Sequence, residues 1–263
     1  MGKIIAVANQ KGGVGKTTTA INLAACLAIL EKKILIIDSD PQANATSGVG
    51  VFPTEEQYNL YDCFVSNVPL RDAIVPTDTP NLFLVPSHID LVGAELELAN
   101  VEKREFILKD LIHEIVDEYD YIFIDCLPSL GIITINALTA ANSVLIPVQC
   151  EVFSLEGLGK LTGTINLVKK ALNPKLTIEG IVLSMYDKRI RLANIVVEEI
   201  KQHSKNMVFD TIIHRNTKIA EAPNQHQPVL MYDAGCKGSI NFLNLSKEFL
   251  IRNKDRIKKA TVA

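Results

Sequence analysis

The stretch KIIAVANQKGGVGKTTTAINL, residues 3–23, decides the fold. After Lys3 its first residues are apolar on both faces, which predicts a strand over 3–8 covered from both sides, the habit of a parallel sheet. Gly12, Gly13 and Gly15 follow, and residues 16–31 then predict a helix. A glycine-rich turn between a strand and a helix lets backbone N–H groups wrap a polyphosphate. Gly13, Val14, Gly15, Lys16 and Thr17 can turn their N–H groups inward, and the helix N-terminus adds partial positive charge. Lys16 reaches the β- and γ-phosphates, the Thr17 hydroxyl ligates Mg²⁺, and Thr18 holds the α-phosphate. The strict pattern G-x-x-x-x-G-K-[ST] is not met, because its first position is Gln10. The loop is a variant, K-G-G-x-G-K-T-T, and the candidate nucleotide-binding set runs from Lys11 and Gly12 through Thr18.

The variant raises a question about its first lysine. Lys16 already fills the place over the nucleotide's own phosphates. A cation at Lys11 projects more naturally away from that pocket, toward a second subunit facing it across the nucleotides. There it would neutralise charge developing during phosphoryl transfer.

Outward from this stretch, strand and helix patterns alternate. Strands are expected at 3–8, 33–40, 81–86, 119–126, 143–148, 178–186 and 207–213, with helices at 16–31, 88–99, 103–117, 131–141, 154–172, 191–204 and 237–253. Together they predict an α/β fold, a doubly wound and mostly parallel sheet with helices on both faces, as one domain over residues 1–263. LIIDSDPQANAT (35–46) ends a strand with Asp38 and Asp40 two apart, hence on one side of it at the carboxyl edge where ligands bind. One of the two can hold a magnesium-bound water and the other can orient the attacking water. YDYIFIDC (119–126) is an apolar strand ending in Asp125, which puts a second carboxylate near Mg²⁺.

QKGGVGKTT (10–18), IIDSDPQANATSGVG (36–50) and IDCLPSLG (124–131) together resemble the ParA/Soj family of ATPases, relatives of MinD. The resemblance continues through LSMYDKR (183–189), TIIHRN (211–216), EAP (221–223) and PVLMYDAG (228–235). It implies ATP and Mg²⁺ as cofactors and a nucleotide-sandwich homodimer in which Lys11 reaches across. It implies that Asp40 is the hydrolytic carboxylate, with Lys11 and Lys16 beside it in catalysis, and that Thr17, Asp38 and Asp125 surround the metal. His214 and Asn216 would hold the adenine. The family usually carries Pro at 127 and at 214, where this chain has Leu127 and His214. The partners implied are nonspecific double-stranded DNA and a ParB/Spo0J-like protein that stimulates hydrolysis, in the cytoplasm on the nucleoid.

Charge agrees with a nucleic-acid partner. Residues 1–150 carry 9 Lys/Arg against 19 Asp/Glu, net −10, and residues 151–263 carry 18 against 11, net +7. Such a split predicts a basic face on the C-terminal half. Its cations fall in DKRIR (187–191), RNTK (215–218), Lys237 and RNKDRIKK (252–259). Arg189 matches the family's DNA-contacting segment, with Arg191, Lys218 and Lys237 as further candidates. With no Trp and 6% aromatics, stacking on bases is not the main mode of binding. Five widely spaced cysteines without a CxxC predict reduced thiols. That also argues against a cluster-carrying redox relative, for which Cys126 and Cys150 are the only tempting pair. A MinD-like membrane regulator would need a terminal amphipathic helix. INFLNLSKEFLI (240–251) is amphipathic but reads as core packing, and the residues after it lack an insertion face, so no stable membrane binding is expected.

Overall fold

A computed structural model describes residues 2–151, 154–204 and 207–262, with side chains as far as residue 254. Strands β1 (Lys3–Val7), β2 (Ile34–Asp38), β3 (Val75–Pro76), β4 (Leu82–Val85), β5 (Tyr121–Asp125), β6 (Ser143–Gln149) and β7 (Thr177–Ser184) form one sheet in the order β3-β4-β2-β5-β1-β6-β7. Every pairing is parallel except the short β3 against β4. The helices are α1 (Lys16–Ile29), α2 (Asn44–Gly48), α3 (Leu60–Val65), α4 (Leu91–Glu97), α5 (Ile107–His113), α6 (Ile132–Ala140), α7 (Ser154–Ala171), α8 (Arg191–Ser204), α9 (Thr217–Glu221), α10 (Val229–Tyr232) and α11 (Lys237–Val262).

Strand alternation sorts the core into two layers. Ile4, Ala6, Leu35, Ile37, Ile122, Ile124, Val144 and Ile146 face the side covered by α3 to α8. Ile5, Val7, Ile34, Ile36, Phe123 and Leu145 face the side covered by α1 and α11. Both layers are apolar, so the strands read as continuous hydrophobic runs. In α1 the small residues Ala20, Ala24 and Ala28 let the helix lie close on the sheet while Leu23 and Leu27 are fully buried. Each such leucine contributes about 1.5–3 kcal/mol relative to an exposed one. The amphipathic 240–251 segment is core: Phe242, Leu245 and Phe249 of α11 are buried. At the end of the sheet away from the loop, buried Glu179 is held by Lys3, Ser143 and Asn253, tying α11 to β1, β6 and β7.

The expected strand at 207–213 does not form. Val208 and His214 make isolated bridges to Ile181 and Tyr186, but between them the N–H groups of Asp210 and Thr211 donate to the Glu248 carboxylate on α11, both at 2.9 Å. A side chain from a distant helix takes the donors that a ladder needs. The Phe209 ring also covers Gly180, where a Cβ would lie 2.4 Å from it. β2 stops at Asp38 rather than 40, β3 and α2, α3, α9 and α10 were not expected, and α11 continues past 253 to Val262. The expected helix at 103–117 is broken into α5 between two 3₁₀ turns.

Candidate functional site

The site lies where β1, β5 and β2 end side by side, with Val7 opposite Asp125 and Asp125 opposite Asp38. The chain leaves β1 to one side and returns on the other through β6, the topological switch point of the sheet. Gly13 and Gly15 take φ of 74° and 89°, a left-handed backbone that favours glycine. Gly15 is the N-cap of α1, so the first-turn N–H groups have no side-chain cap, and no acidic residue stands in that turn. Asn9 anchors the loop start, donating to Pro147 O at 2.7 Å and accepting from the Lys11 N–H at 3.1 Å. On the other side Ser184 donates to Val14 O at 2.8 Å.

The two lysines part company. Lys16 is 7% exposed and folds back to donate to Lys11 O at 3.2 Å. Burial lowers its pKa, and the nearby Asp125 carboxylate opposes this. Lys11 points out of the pocket and pairs with Glu151 at 3.1 Å, with its side chain about one-third exposed.

The carboxylates differ as sharply. Asp38 is fully buried and accepts from the Thr46 N–H (2.8 Å), the Thr46 hydroxyl (2.7 Å) and the Asp40 N–H (3.2 Å). Burial pushes its carboxyl up to about 6 despite the Thr46 bonds. Asp40 lies beyond the strand end, so strand alternation does not orient it; its Oδ1 accepts the Gln42 N–H at 3.0 Å. Asp125 is also fully buried, and no donor meets either carboxylate oxygen in full hydrogen-bonding geometry, although the Thr17 hydroxyl lies close enough to act on it. Burial, and then the Asp38 charge, push its pKa well up, while the Thr17 hydroxyl and Lys16 hold it down only in part. A buried carboxylate with both oxygens bare is costly unless a cation satisfies it. Beside the Thr17 hydroxyl it is a hard-oxygen donor set of the kind Mg²⁺ takes. Past β5, Thr134 donates to Ser129 O at 2.8 Å, bracing the segment that contains Leu127.

Next to the loop is a pocket of about 340 Å³ lined by Gly15, Thr18, Met185, Ile213, His214 and Asn216, among others. His214 does line it. Its N–H and its Nδ1 both meet Asn241 Oδ1 at 3.1 Å, and its ring stands edge-on to Tyr186. Asn216 caps α9, accepting the Lys218 N–H at 2.8 Å, which leaves its amide nitrogen for a ligand.

The basic candidates do not share one fate. Arg189 and Lys237 line a neighbouring cavity, and Arg191 opens α8, exposed. Lys218 is paired with Glu221 at 2.8 Å and lies over Tyr232. Arg252 is absorbed into the fold by Glu248, Val208 O and the Phe209 ring. The side chains of the rest of that run, from 255, lie outside the described residues. Cys126 and Cys150 are buried free thiols, and burial pushes Cys150 up to about 12. Sequence reading missed Asn9, Thr46, Glu151, Ser184 and Asn241. No local pattern marks them, because each acts on a partner distant in the chain or at a loop position without periodicity.

A uncapped helix N-terminus, an inward lysine and a bare buried carboxylate at a sheet switch point define a P-loop nucleotide-binding protein. A family model described as an AAA domain matches residues 2–178. The chromosome partitioning protein ParA of Myxococcus xanthus is 48% identical over 263 residues, all of this chain and 93% of that protein. The sporulation initiation inhibitor protein Soj of Bacillus subtilis is 49% identical over 248 residues, 94% of this chain and 98% of that one. A putative plasmid partition protein from Borrelia burgdorferi, solved with AMPPNP, matches with a TM-score of 0.79 at 28% identity, over 97% of this chain and 100% of that one. The septum site-determining protein MinD of Pyrococcus horikoshii, complexed with Mg-ADP, matches with a TM-score of 0.79 at 26% identity, over 94% and 96%. The chain belongs to the ParA/Soj family of chromosome-partitioning ATPases. Among the described residues no helix is long and apolar enough to cross a membrane.

Proposed function

We propose that this chain binds Mg-ATP, pairs with a second copy across two nucleotides, binds double-stranded DNA without regard to sequence, and releases it on hydrolysis. The observation that carries the nucleotide chemistry is the bare, buried Asp125 carboxylate beside Lys16, Thr17 and the uncapped N-terminus of α1. Mg²⁺ held there would supply positive charge against the charge that develops on the phosphates. Thr17, Asp125 and Asp38 are the residues that would hold it, through the Thr17 hydroxyl and the two carboxylates. Lys16 exchanges its bond to Lys11 O for the phosphates. Thr18 lies at the α-phosphate, and His214 and Asn216 flank the base. Asp40, free of the strand, orients the attacking water.

Lys11 completes the partner's site. Its pairing with Glu151 is an exposed one, worth about 0–1 kcal/mol, so leaving it for a phosphate in the other subunit costs little. Two DNA-binding faces held in one dimer turn the second contact into an intramolecular one, which lets ATP switch the affinity. A ParB/Spo0J-like protein stimulates turnover, and the cycle moves a chromosome or plasmid over the nucleoid.

Gel shift with no nucleotide, ADP and ATP, at two salt concentrations, tests this reading, with sedimentation on liposomes alongside. ATP alone should produce salt-sensitive DNA binding, and Lys11→Ala should abolish it together with the dimer while leaving ATP bound. Liposome binding without DNA binding would turn the reading toward a membrane-associated division regulator.

A further inference from the structure

The base pocket has apolar walls, among them Met185, Ile213, Ile219 and Pro223, and His214 and Asn216 stand in the same lining. Apolar walls hold a flat ring of any kind and do not tell one base from another. Selection falls to the few polar groups whose donor or acceptor character is fixed. At Asn216 and His214 the fold fixes it.

Asn216 Oδ1 accepts the Lys218 N–H at 2.8 Å. A backbone N–H can only donate, so the atom it meets is the amide oxygen, and the Asn216 nitrogen is left as a donor. At His214 the polarity passes through one more residue. Asn241 of α11 accepts the His214 backbone N–H on its Oδ1 at 3.1 Å, which fixes the orientation of that amide in the same way. The same Oδ1 lies 3.1 Å from the His214 ring Nδ1. An amide oxygen only accepts, so Nδ1 must carry the proton, and in the neutral ring Nε2 is then a bare acceptor.

The ring is held in this state from its other side. Tyr186 stands edge-on to it, with ring centroids 5.4 Å apart, and the Tyr186 hydroxyl is itself bonded to Asn194. The Tyr186 N–H donates to Ile213 O at 3.1 Å and the Arg215 N–H to Tyr186 O at 3.0 Å, so the backbone on both sides of His214 is tied to the end of β7. Among the described residues Nε2 has no hydrogen-bond partner. A proline at 214, the family's usual residue, has neither the N–H nor a ring nitrogen to offer Asn241, so the arrangement depends on this chain's histidine.

We propose, resting on the nucleotide-binding reading above, that His214 selects the base and that Asn241 is its positioning residue, holding the tautomer in which Nε2 accepts from the exocyclic amino group of adenine. The Asn216 amide nitrogen donates to a ring nitrogen of the same base. Adenine presents this donor beside an acceptor, whereas a 6-oxo purine such as guanine puts a carbonyl oxygen where the amino group stands. That oxygen would face the Nε2 lone pair, acceptor against acceptor. The opposite tautomer, with the proton on Nε2, would favour the 6-oxo base instead. The choice of base is thus made by a residue of α11 that need not touch the nucleotide.

Calorimetric titration of the full chain with ADP and with inosine diphosphate, both with magnesium, tests the selection. Hypoxanthine has an oxygen in place of the amino group and a proton on the adjacent ring nitrogen. Long-range ¹H–¹⁵N NMR of the ¹⁵N-labelled chain, in buffer above the ordinary imidazole range, reads the tautomer. The chain has five histidines, and the signals lost in His214→Phe assign the ring. Wild type should show Nδ1 protonated at His214 and bind ADP roughly 10- to 100-fold tighter than inosine diphosphate, the range for a hydrogen bond replaced by two opposed acceptors. His214→Phe keeps a flat ring without nitrogens and should cut that preference roughly tenfold. Asn241→Leu should lose the Nδ1-protonated pattern and the preference together. If Asn241→Leu fails to fold, the wild-type tautomer and His214→Phe still decide. A wild-type ring protonated on Nε2, equal binding of the two diphosphates, or a preference unchanged in His214→Phe overturns the inference while the nucleotide reading stands. If wild type binds neither diphosphate, that reading falls and this inference with it.

Discussion

Asp38→Asn should make the nucleotide-free chain more stable at neutral pH, and the gain should disappear in acid. Burial holds the Asp38 carboxyl at about 6 against an ordinary 3.8, the bonds from Thr46 and Asp40 offsetting only part of the cost. That rise corresponds to about 3 kcal/mol. Below about pH 4 the folded and unfolded chains are both protonated at this group, and the cost is absent. Between about 4 and 6 the folded chain keeps a proton that the unfolded chain has released, so stability falls as pH rises. Above 6 the full cost is in place. Asparagine carries no charge and removes it. With its oxygen toward Thr46, its amide nitrogen cannot accept the Asp40 N–H, a loss of about 1 kcal/mol. The net is about 2 kcal/mol at pH 7–8, a rise in Tm of roughly 4–8 °C for a chain of this size. Losing the Asp38 charge also relieves Asp125, whose pKa is raised by burial and next by Asp38, so the neighbour adds in the same direction. Urea unfolding followed by circular dichroism from pH 4 to 8, without nucleotide or magnesium, measures this; the chain has no Trp to follow. A variant destabilised by the same amount at every pH would refute the reasoning, because the buried carboxylate would then carry no charge cost for a cation to relieve.

Lys16→Ala should weaken nucleotide binding on the order of 100-fold, the usual cost of truncating a buried charge partner; calorimetric titration with ATP and ADP reads it, and unchanged affinity would remove Lys16 from the phosphate site. Asp40→Ala should lower turnover by roughly 10²–10⁴, the range for losing a group that handles the attacking water's proton. The chain should then persist as an ATP-bound dimer in size-exclusion chromatography, and wild-type phosphate release would move that role elsewhere.

The glycine-rich loop, the two-layered sheet and the carboxylates at the strand ends could be read from the chain because each is written locally. Strand–glycine–helix order marks the loop, apolar runs mark β1, β2 and β5, and Asp38 and Asp125 stand at the ends of such runs. The roles expected of Asp40 and Asn216 came from the resemblance, because spacing alone left them open, while the outward reading of Lys11 came from the loop itself. Segment 207–213 shows where local reading fails. Its residues suit a strand, and only Glu248, some forty residues on, takes the amide donors that a strand would have used.

The sequence by itself determined the fold class, the nucleotide loop and the acids that accompany it, because backbone conformation and apolar period are properties of short stretches. Tertiary structure alone decided the electrical state of the site. Asp38 and Asp125 look alike in sequence, yet the first is wrapped by Thr46 and the second has bare oxygens. It also decided which cations are available: Lys218 and Arg252 are paired, Arg189 is held by Asp187, and Lys237 stands at a helix start. Desolvation and ion pairing depend on what the fold brings within a few ångströms, and composition does not contain that information.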